Sequence, residues 1–396
     1  MSILNVCPLH LLKGTPVNVI DILVARGVCK VWPEGSTVPR GGSAKFGIDP
    51  TRDRLHLGHL VPLRVARALQ DSESWVLDLV LGTLTASLGD PSGQDKTRPV
   101  LDFDLVLSNA DSLEVQCRRR VLSNQRLEVV RNHTLTEDLS VSQFLTMAVS
   151  KFTVASLMSR QGFKNRGAGG VRAHELLVPL LQGWDSVALE TDLEIGGNDQ
   201  LFNFGVTREL QASQKQTPEV CLLTPIINGP DGRKMSKSFD NCIWFDDTPT
   251  DVYGKTMSIS DDQVERWAAL LTDLDLENIR LMLDTKPMEA KRCLAFDLVV
   301  QLHGPDAAQE ADKAFSQRVQ GKMAPPIEEM ASVPPGGLLA ALQVLRGCSK
   351  SQARRLVQGG GVKLNGVKVS DPNTEVQCGC GDIIKAGKRS WGHVSG

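Results

Sequence analysis

Apolar residues recur at Leu60, Val61, Leu63, Val65, Ala66 and Leu69. That near-helical period predicts an amphipathic helix from His59 onward. The stretch before it, SAKFGID (43–49), reads as a short strand. The stretch after it, WVLDLVLG (75–82), is apolar and β-branched enough for a buried parallel strand. A strand–loop–helix–strand order predicts a parallel sheet, with ligands at the carboxyl ends of its strands. VNVIDILVARG (17–27) reads as a helix dressing that core, residues 105–165 as mostly helical, and HELLVPLLQGWDSVAL (174–189) as a leucine-rich helix. ETDLEIGGNDQLFN (190–203) reads as a strand entering a Gly-Gly turn, and CLLTPIING (221–229) as a short apolar strand. Residues 245–330 read as helices with acidic patches. A Pro/Gly-rich joint (323–337) then leads to two helices, a Gly-rich turn and short strands.

These elements predict an α/β chain with a Rossmann-like parallel-sheet domain over 1–244, a helical domain over 245–325, a linker at 326–337 and a small α+β domain over 338–396. A length of 396 residues suits two or three domains. A net charge of −2 gives no global pull toward nucleic acid, so any RNA site must be local. The tail supplies one, with nine Lys or Arg against three acids in 338–396. Nine scattered cysteines suit reduced thiols in a cytoplasmic compartment. Cys378-Gly379-Cys380 is the one close pair. No second pair completes a four-ligand zinc site, so no metal site is expected. The first residues lack a basic leader before a long apolar core, and no stretch approaches a membrane span. Neither a secretory signal nor membrane insertion is therefore expected.

Two stretches carry chemistry. His56-Leu57-Gly58-His59 opens the first predicted helix, with Asp49, Thr51 and Asp53 upstream, where helix-start residues and negative charge are expected. A helix N-terminus presents unpaired N–H groups that receive phosphate, and two imidazoles there can donate hydrogen bonds to a triphosphate. Alone, this reads equally well as a surface loop with solvated histidines. Gly232-Arg233-Lys234-Met235-Ser236-Lys237-Ser238 suits a flexible loop closing over a polyphosphate, yet a lone lysine-rich loop is usually only solvated. Their pairing in this order, about 180 residues apart, is much more specific.

With that pair in place the chain resembles the class I aminoacyl-tRNA synthetases, whose signatures read HIGH and KMSKS. Within them it resembles the bacterial-type tyrosyl-tRNA synthetases. GIDPT (47–51), GDPSG (89–93), the helix 174–189, EIGGNDQLFN (194–203) and DGRKMSKS (231–238) carry the resemblance, which covers nearly the whole chain. It implies activation of tyrosine by ATP to tyrosyl-adenylate, with Mg2+ on the ATP, transfer to tRNA(Tyr), and a homodimer assembled through the 105–165 region. Thr51, His56, His59, Lys234 and Lys237 are implied on the phosphates. Gly47, Asp49, Gly58, Gly197, Asp199 and Met235 complete the nucleotide site, with Ile226 and Ile227 as an adenine bed. Thr85, Asp90, Gln182 and Gln200 are implied around the amino acid, with Asp90 and Gln182 on its ammonium and Asp185 on the phenol hydroxyl. Lys96 and Arg98 are candidates for the pyrophosphate, and Gln94 stands where the family often has lysine. The tail resembles a small RNA-binding module first known in a ribosomal protein, placing Lys350, Arg354, Arg355, Lys363, Lys368, Lys388 and Arg389 on phosphates. Such contacts position RNA without reading its sequence.

Three positions depart from the family pattern. Val178 and Trp184 stand where tyrosines are common, and Lys45 stands where another branch has a phenol-binding tyrosine. Val178 removes a hydroxyl near the ammonium, about 0.5–1.5 kcal/mol in net terms. Val178 and Trp184 are both expected to reshape the amino-acid pocket. This keeps open a paralogue using another amino acid, and beside it a synthetase-derived RNA-binding or splicing protein. A tryptophanyl enzyme shares the core but not this kind of tail.

Overall fold

Six strands form the central sheet: β1 (Lys30–Trp32), β2 (Gly42–Ile48), β3 (Trp75–Leu81), β4 (Leu127–Arg131), β5 (Leu193–Gly197) and β6 (Val220–Thr224). Their order is β1-β6-β5-β2-β3-β4. Strands β2 to β6 run parallel, and β1 closes one edge antiparallel to β6. The chain therefore winds outward from β2 through β3 to β4, then returns to the other side of β2 to lay down β5 and β6. In such sheets the crevice at the reversal, here between β2 and β5, is where a ligand can enter. The computed structural model describes residues 19–72, 74–89, 101–123, 125–167, 170–236, 239–319, 327–372, 377–387 and 390–395. They fall in two compact units, Met1–Gln309 and Glu310–Gly396.

The apolar period after His59 is realised in the helix Leu57–Asp71, which buries Leu60, Val61, Leu63, Val65, Ala66 and Leu69. Its cap differs from expectation. The helix starts at Leu57 with His56 as N-cap, so Asp49, Thr51 and Asp53 lie in the preceding loop. β4 corrects the mostly helical reading of 105–165. Its five residues, LEVVR, are too short and too polar for a periodic signal, and pairing with β3 decides their conformation. The helix Ala173–Ala188 packs beside Leu201–Ser213. Helices Pro249–Met257, Asp261–Leu271, Leu276–Thr285 and Pro287–His303 belong to the same unit as the sheet, with Tyr253, Trp267, Leu294 and Leu298 in their core. Arg26 ties the N-terminal segment to them. Its guanidinium donates to the carbonyls of Ala269 (3.2 Å), Thr272 (2.8 Å) and Leu274 (2.7 Å), satisfying the end of a helix whose last carbonyls lack partners.

In the second unit, β7 (Ala331–Val333), β8 (Gly336–Gly337), β9 (Val362–Leu364), β10 (Val367–Val369), β11 (Gln377–Cys378), β12 (Ile383–Ala386) and β13 (Ser390–Val394) accompany the helices Leu338–Arg346 and Lys350–Gln358. Five strands pair in the order β10-β9-β12-β13-β7. β7 and β8 fall where a linker was expected. β7 is the parallel partner of β13, and β8 pairs with β11, so this stretch is part of the tail's own fold. Leu342, Val357, Val362, Ile384 and Val394 form its core. Among the described residues no helix is long and apolar enough to cross a membrane.

Leu342→Ala should cost the tail about 2–5 kcal/mol. Native-state hydrogen exchange should then show lost protection in 331–395 and unchanged protection in β2, β3 and β5.

Candidate active site

A cavity of about 790 Å³ opens at the reversal between β2 and β5. Such a volume suits a small-molecule site. Its walls bring together, from distant parts of the chain, Thr51, His56, Gly58 and His59, then Gly197, Asp199 and Gln200, then Ile226, Ile227, Lys234 and Met235. Gly47, Asp49 and Thr85 line it too, as do Lys45, Val178, Gln182 and Asp185. Asp90, Gln94, Lys96, Arg98 and Lys237 lie outside the described residues.

The mouth carries the phosphate-type groups. His56 Nδ1 accepts from Gly58 N at 3.0 Å, and His59 Nδ1 accepts from His56 N at 3.1 Å. Both Nδ1 atoms act as acceptors, so each neutral ring carries its proton on Nε2, as a donor. Gly58 is required for this arrangement, because a Cβ there would lie 2.7 Å from the His56 ring. His56 also pairs, in an isolated bridge, with Trp244, and Leu57 N donates to Ile243 O at 3.0 Å. The segment after the lysine-rich loop is thereby tied to the helix start. Lys234 forms an ion pair with Asp199 at 3.1 Å.

The inner end is buried. Asp185 accepts from Asn132 Nδ2 at 3.2 Å, and Asn132 Oδ1 is held by Leu84 N at 2.7 Å. Thr85 donates to Asp49 at 2.7 Å. A side chain at Gly82 would strike the Asp49 carboxylate, at 2.1 Å, so this turn needs glycine for close approach. Burial pushes the Asp185 carboxyl up to about 7, against the pull of the Lys45 ammonium and the Asn132 amide. Lys45, 1% exposed, pairs with Glu194 at 2.9 Å and donates to the Gln182 carbonyl at 3.2 Å. Burial works against its charge, but Glu194, Glu219 and Asp185 together hold the ammonium above its ordinary value. Asn203 donates to both glutamines, at 2.7 Å to Gln182 Oε1 and 2.9 Å to Gln200 Oε1. Gln182 Nε2 in turn donates to Glu194 at 3.3 Å.

One expectation fails. Trp184 does not line the cavity. It packs with Ala148, Val187 and Leu210, and its indole donates to Leu135 O at 3.3 Å. It lies one helix residue from Asp185, about 100° round the axis, and so faces another core. Of the two substitutions on this helix, Val178 alone touches the pocket. Asn132, Glu194, Asn203 and Trp244 were missed by motif reading. Asn132 follows β4, the strand that periodicity did not reveal.

The tail residues Lys350, Arg354, Arg355, Lys363 and Lys368 are exposed, and Lys388 and Arg389 lie outside the described residues. Lys363 stands directly opposite Lys368 on one side and Lys385 on the other, and the Lys385 ammonium lies 4.8 Å from the centre of the Trp391 ring. This row of like charge sets a basic surface across β10, β9 and β12.

Asn132→Ala removes a hydrogen bond that favours the ionised Asp185. The Asp185 titration, followed by carboxyl carbon NMR, should move upward from about 7.

A family model described as tRNA synthetases class I (W and Y) matches residues 41–320, and an S4 domain model matches 338–384. A tyrosine–tRNA ligase of Aquifex aeolicus is 39% identical over 387 residues, covering 95% of this chain and 96% of that protein. One of Bdellovibrio bacteriovorus is 40% identical over 364 residues, covering 88% and 89%. Among solved structures, a C-terminally truncated mitochondrial tyrosyl-tRNA synthetase of Aspergillus nidulans superposes with a TM-score of 0.61 at 20% identity, covering 78% of this chain and 96% of that one. The tyrosyl-tRNA synthetase of Archaeoglobus fulgidus complexed with L-tyrosine gives 0.59 at 20% identity, covering 74% and 99%. These structural likenesses carry the fold; the family rests on the sequence matches, which run through the helices and strands that build the cavity. The chain belongs to the class I tRNA synthetases of the tryptophan and tyrosine group and ends in an S4 domain.

Proposed function

We propose that this chain is a tyrosine–tRNA ligase that activates tyrosine in the cavity between β2 and β5. The observation that carries the reading is one cavity with two chemically different ends. Its mouth holds histidine donors and Lys234; its inner end holds Asp185, backed by Asn132, with Thr85 and Lys45 around a space for a hydroxyl-bearing side chain. The amino-acid carboxylate attacks the α-phosphorus of ATP, the bond to the bridging oxygen breaks, and pyrophosphate leaves; Mg2+ carried on the ATP would neutralise part of the phosphate charge. The terminal hydroxyl of tRNA then attacks the aminoacyl carbonyl, and AMP leaves. The protein's part is to hold the reactants in line and to meet charge that grows on the phosphates.

His56 and His59 donate through Nε2 to the phosphates, with Thr51 beside them. Asp199 takes the ribose hydroxyls in place of the Lys234 ammonium, and Lys234 turns to the leaving pyrophosphate together with Lys237. The amide of Gln200, anchored through its carbonyl to Asn203, presents its N–H to the carboxylate or α-phosphate. Gln182 and Asp90 meet the ammonium, and ionised Asp185 accepts the phenol proton. The residue of the wall nearest Gln182 on its helix face is Val178, buried and apolar, and no tyrosine lines the cavity. Ammonium recognition then rests on Gln182 and Asp90, with no hydroxyl supplied from position 178. The tail's basic residues, Lys388 and Arg389 included, hold tRNA phosphates, and the working form is a homodimer.

ATP–pyrophosphate exchange with each of the twenty amino acids tests the reading; tyrosine alone should support it. If another amino acid works and tyrosine does not, Val178 marks a repurposed pocket, and Val178→Tyr should recover tyrosine. If none works, the RNA-binding alternative stands. Asp185 is ionised above about 7, so the KM for tyrosine should fall as pH rises through that value. Asp185→Asn should raise the KM about tenfold or more at pH 8, the weight of a hydrogen bond to a charged group. Lys234→Ala should slow adenylate formation by about 10²-fold with little change in tyrosine binding.

A further inference from the structure

Glu194 lines the cavity and Glu219 lies behind it, and neither has a place in the chemistry described above. Glu194 is on β5, opposite Lys45 on β2, and Glu219 immediately precedes β6, the other neighbour of β5. Both are buried, at 2% and 1% exposure.

The charges facing them come from several elements. Lys45 reaches in from β2, with Asp78 behind it on β3. Asp185 comes from the helix Ala173–Ala188, and Cys221 Sγ on β6 is 3.9 Å from Glu219 Oε1. Arg208 on the helix Leu201–Ser213 is engaged elsewhere. It donates to the backbone carbonyls of Pro218 and Glu219, and its guanidinium lies over the Trp32 ring. One ammonium therefore faces two carboxyls, with a third close by. Two full negative charges here would be buried with a single neutralising partner, an arrangement whose desolvation cost exceeds its Coulombic return.

Bond counting gives the same answer. Glu194 Oε1 accepts from Lys45 and from Gln182. Glu194 Oε2 and Glu219 Oε2 are each buried with no hydrogen-bond partner. Glu194 stands opposite Cys221, and Glu219, two residues before Cys221, points to the same face, with the Ser186 hydroxyl also beside it. Two facing acceptors cannot satisfy each other, and one proton between them satisfies both.

We propose that Glu194 and Glu219 share one proton, and that Glu219 is thereby a positioning residue that holds Glu194 on Lys45 and on the Gln182 amide. Burial and the neighbouring Glu194 charge hold the Glu219 carboxyl far above the usual range, which supports this. The chemical consequence is amide orientation. With Gln182 Nε2 committed to Glu194, its Oε1 is the atom shared between Asn203 and a substrate ammonium. Loss of the shared proton sets two like charges against each other and pulls Glu194 from Gln182. Binding of the amino acid should suffer, and binding of ATP should not.

The test uses full-length protein and Glu219→Gln, which keeps a donor where the proton would be and cannot ionise. A carboxyl whose folded pKa is raised stabilises the fold fully below its unfolded value, near 4.5, and that contribution is lost as pH rises. In a denaturant series, wild type should therefore fall progressively behind Glu219→Gln as pH rises above that value. The ionisation of Asp185 is common to both proteins, so the ratio of the tyrosine KM in wild type to that in Glu219→Gln should rise several-fold toward alkaline pH, with the KM for ATP equal in both. Stability and KM curves that stay parallel from pH 4 to 9 would overturn the proposal. Carbon NMR of glutamate carboxyls in wild type keeps the test decisive if Glu219→Gln does not fold: one glutamate protonated at pH 7 is expected, and none would refute the shared proton. The kinetic arm rests on the tyrosine-activating reading. The denaturation and NMR arms do not, so a chain that activates no amino acid can still pass or fail them.

Discussion

The contact between Lys45 and Glu194 is the constraint on which the site depends. It crosses the junction where the sheet reverses, joining β2, which leads into the histidine helix, to β5, which leads into the Gly-Gly turn. Both groups are buried, so neither is cheap to bring in, and removing one partner of such a pair costs about 3–5 kcal/mol. A buried ion pair is weak evidence for stability as such. Here its value is positional. The same ammonium holds the Gln182 backbone, and the same carboxylate holds the Gln182 amide, so three elements meet at one point.

From that junction the polar groups sort by burial. At the inner end most side chains are held by a neighbour: Asn132 by Leu84 and Asp185, Thr85 by Asp49, the Asn203 amide by Gln182 and Gln200, while Glu194 Oε2 and Glu219 Oε2 are left without a partner. Connected networks of this kind fix geometry, because rotating a bonded member strands its partner in low dielectric. At the mouth, contacts are fewer and more exposed. The Lys234–Asp199 pair, 43% and 27% exposed, is screened by water and worth little. A rigid inner end and a labile mouth follow from one gradient of solvent access.

Helix face, not burial, separates Val178 from Trp184. Both depart from the tyrosines common in the family. Val178 lines the cavity and brings no hydroxyl to it, whereas Trp184 fills a separate core and finds its own carbonyl. A substitution matters to substrate choice through the face of the helix it occupies.

The sequence by itself determined a great deal. The helical period after His59, the apolar β3, the two phosphate-type motifs and the glycine turn after β5 are local signals, set by side-chain polarity and backbone freedom within a few residues. They gave the parallel sheet and the residues that meet around its cavity, and the basic tail was legible from charge alone. Tertiary structure decided what local pattern cannot encode. β4 is a strand because β3 offers it an edge, and β7 and β8 because β13 and β11 do. His56 is a cap because its ring folds back on Gly58. Glu194 and Glu219 are 25 positions apart and unremarkable in sequence, and they come together only because β5 and β6 lie side by side.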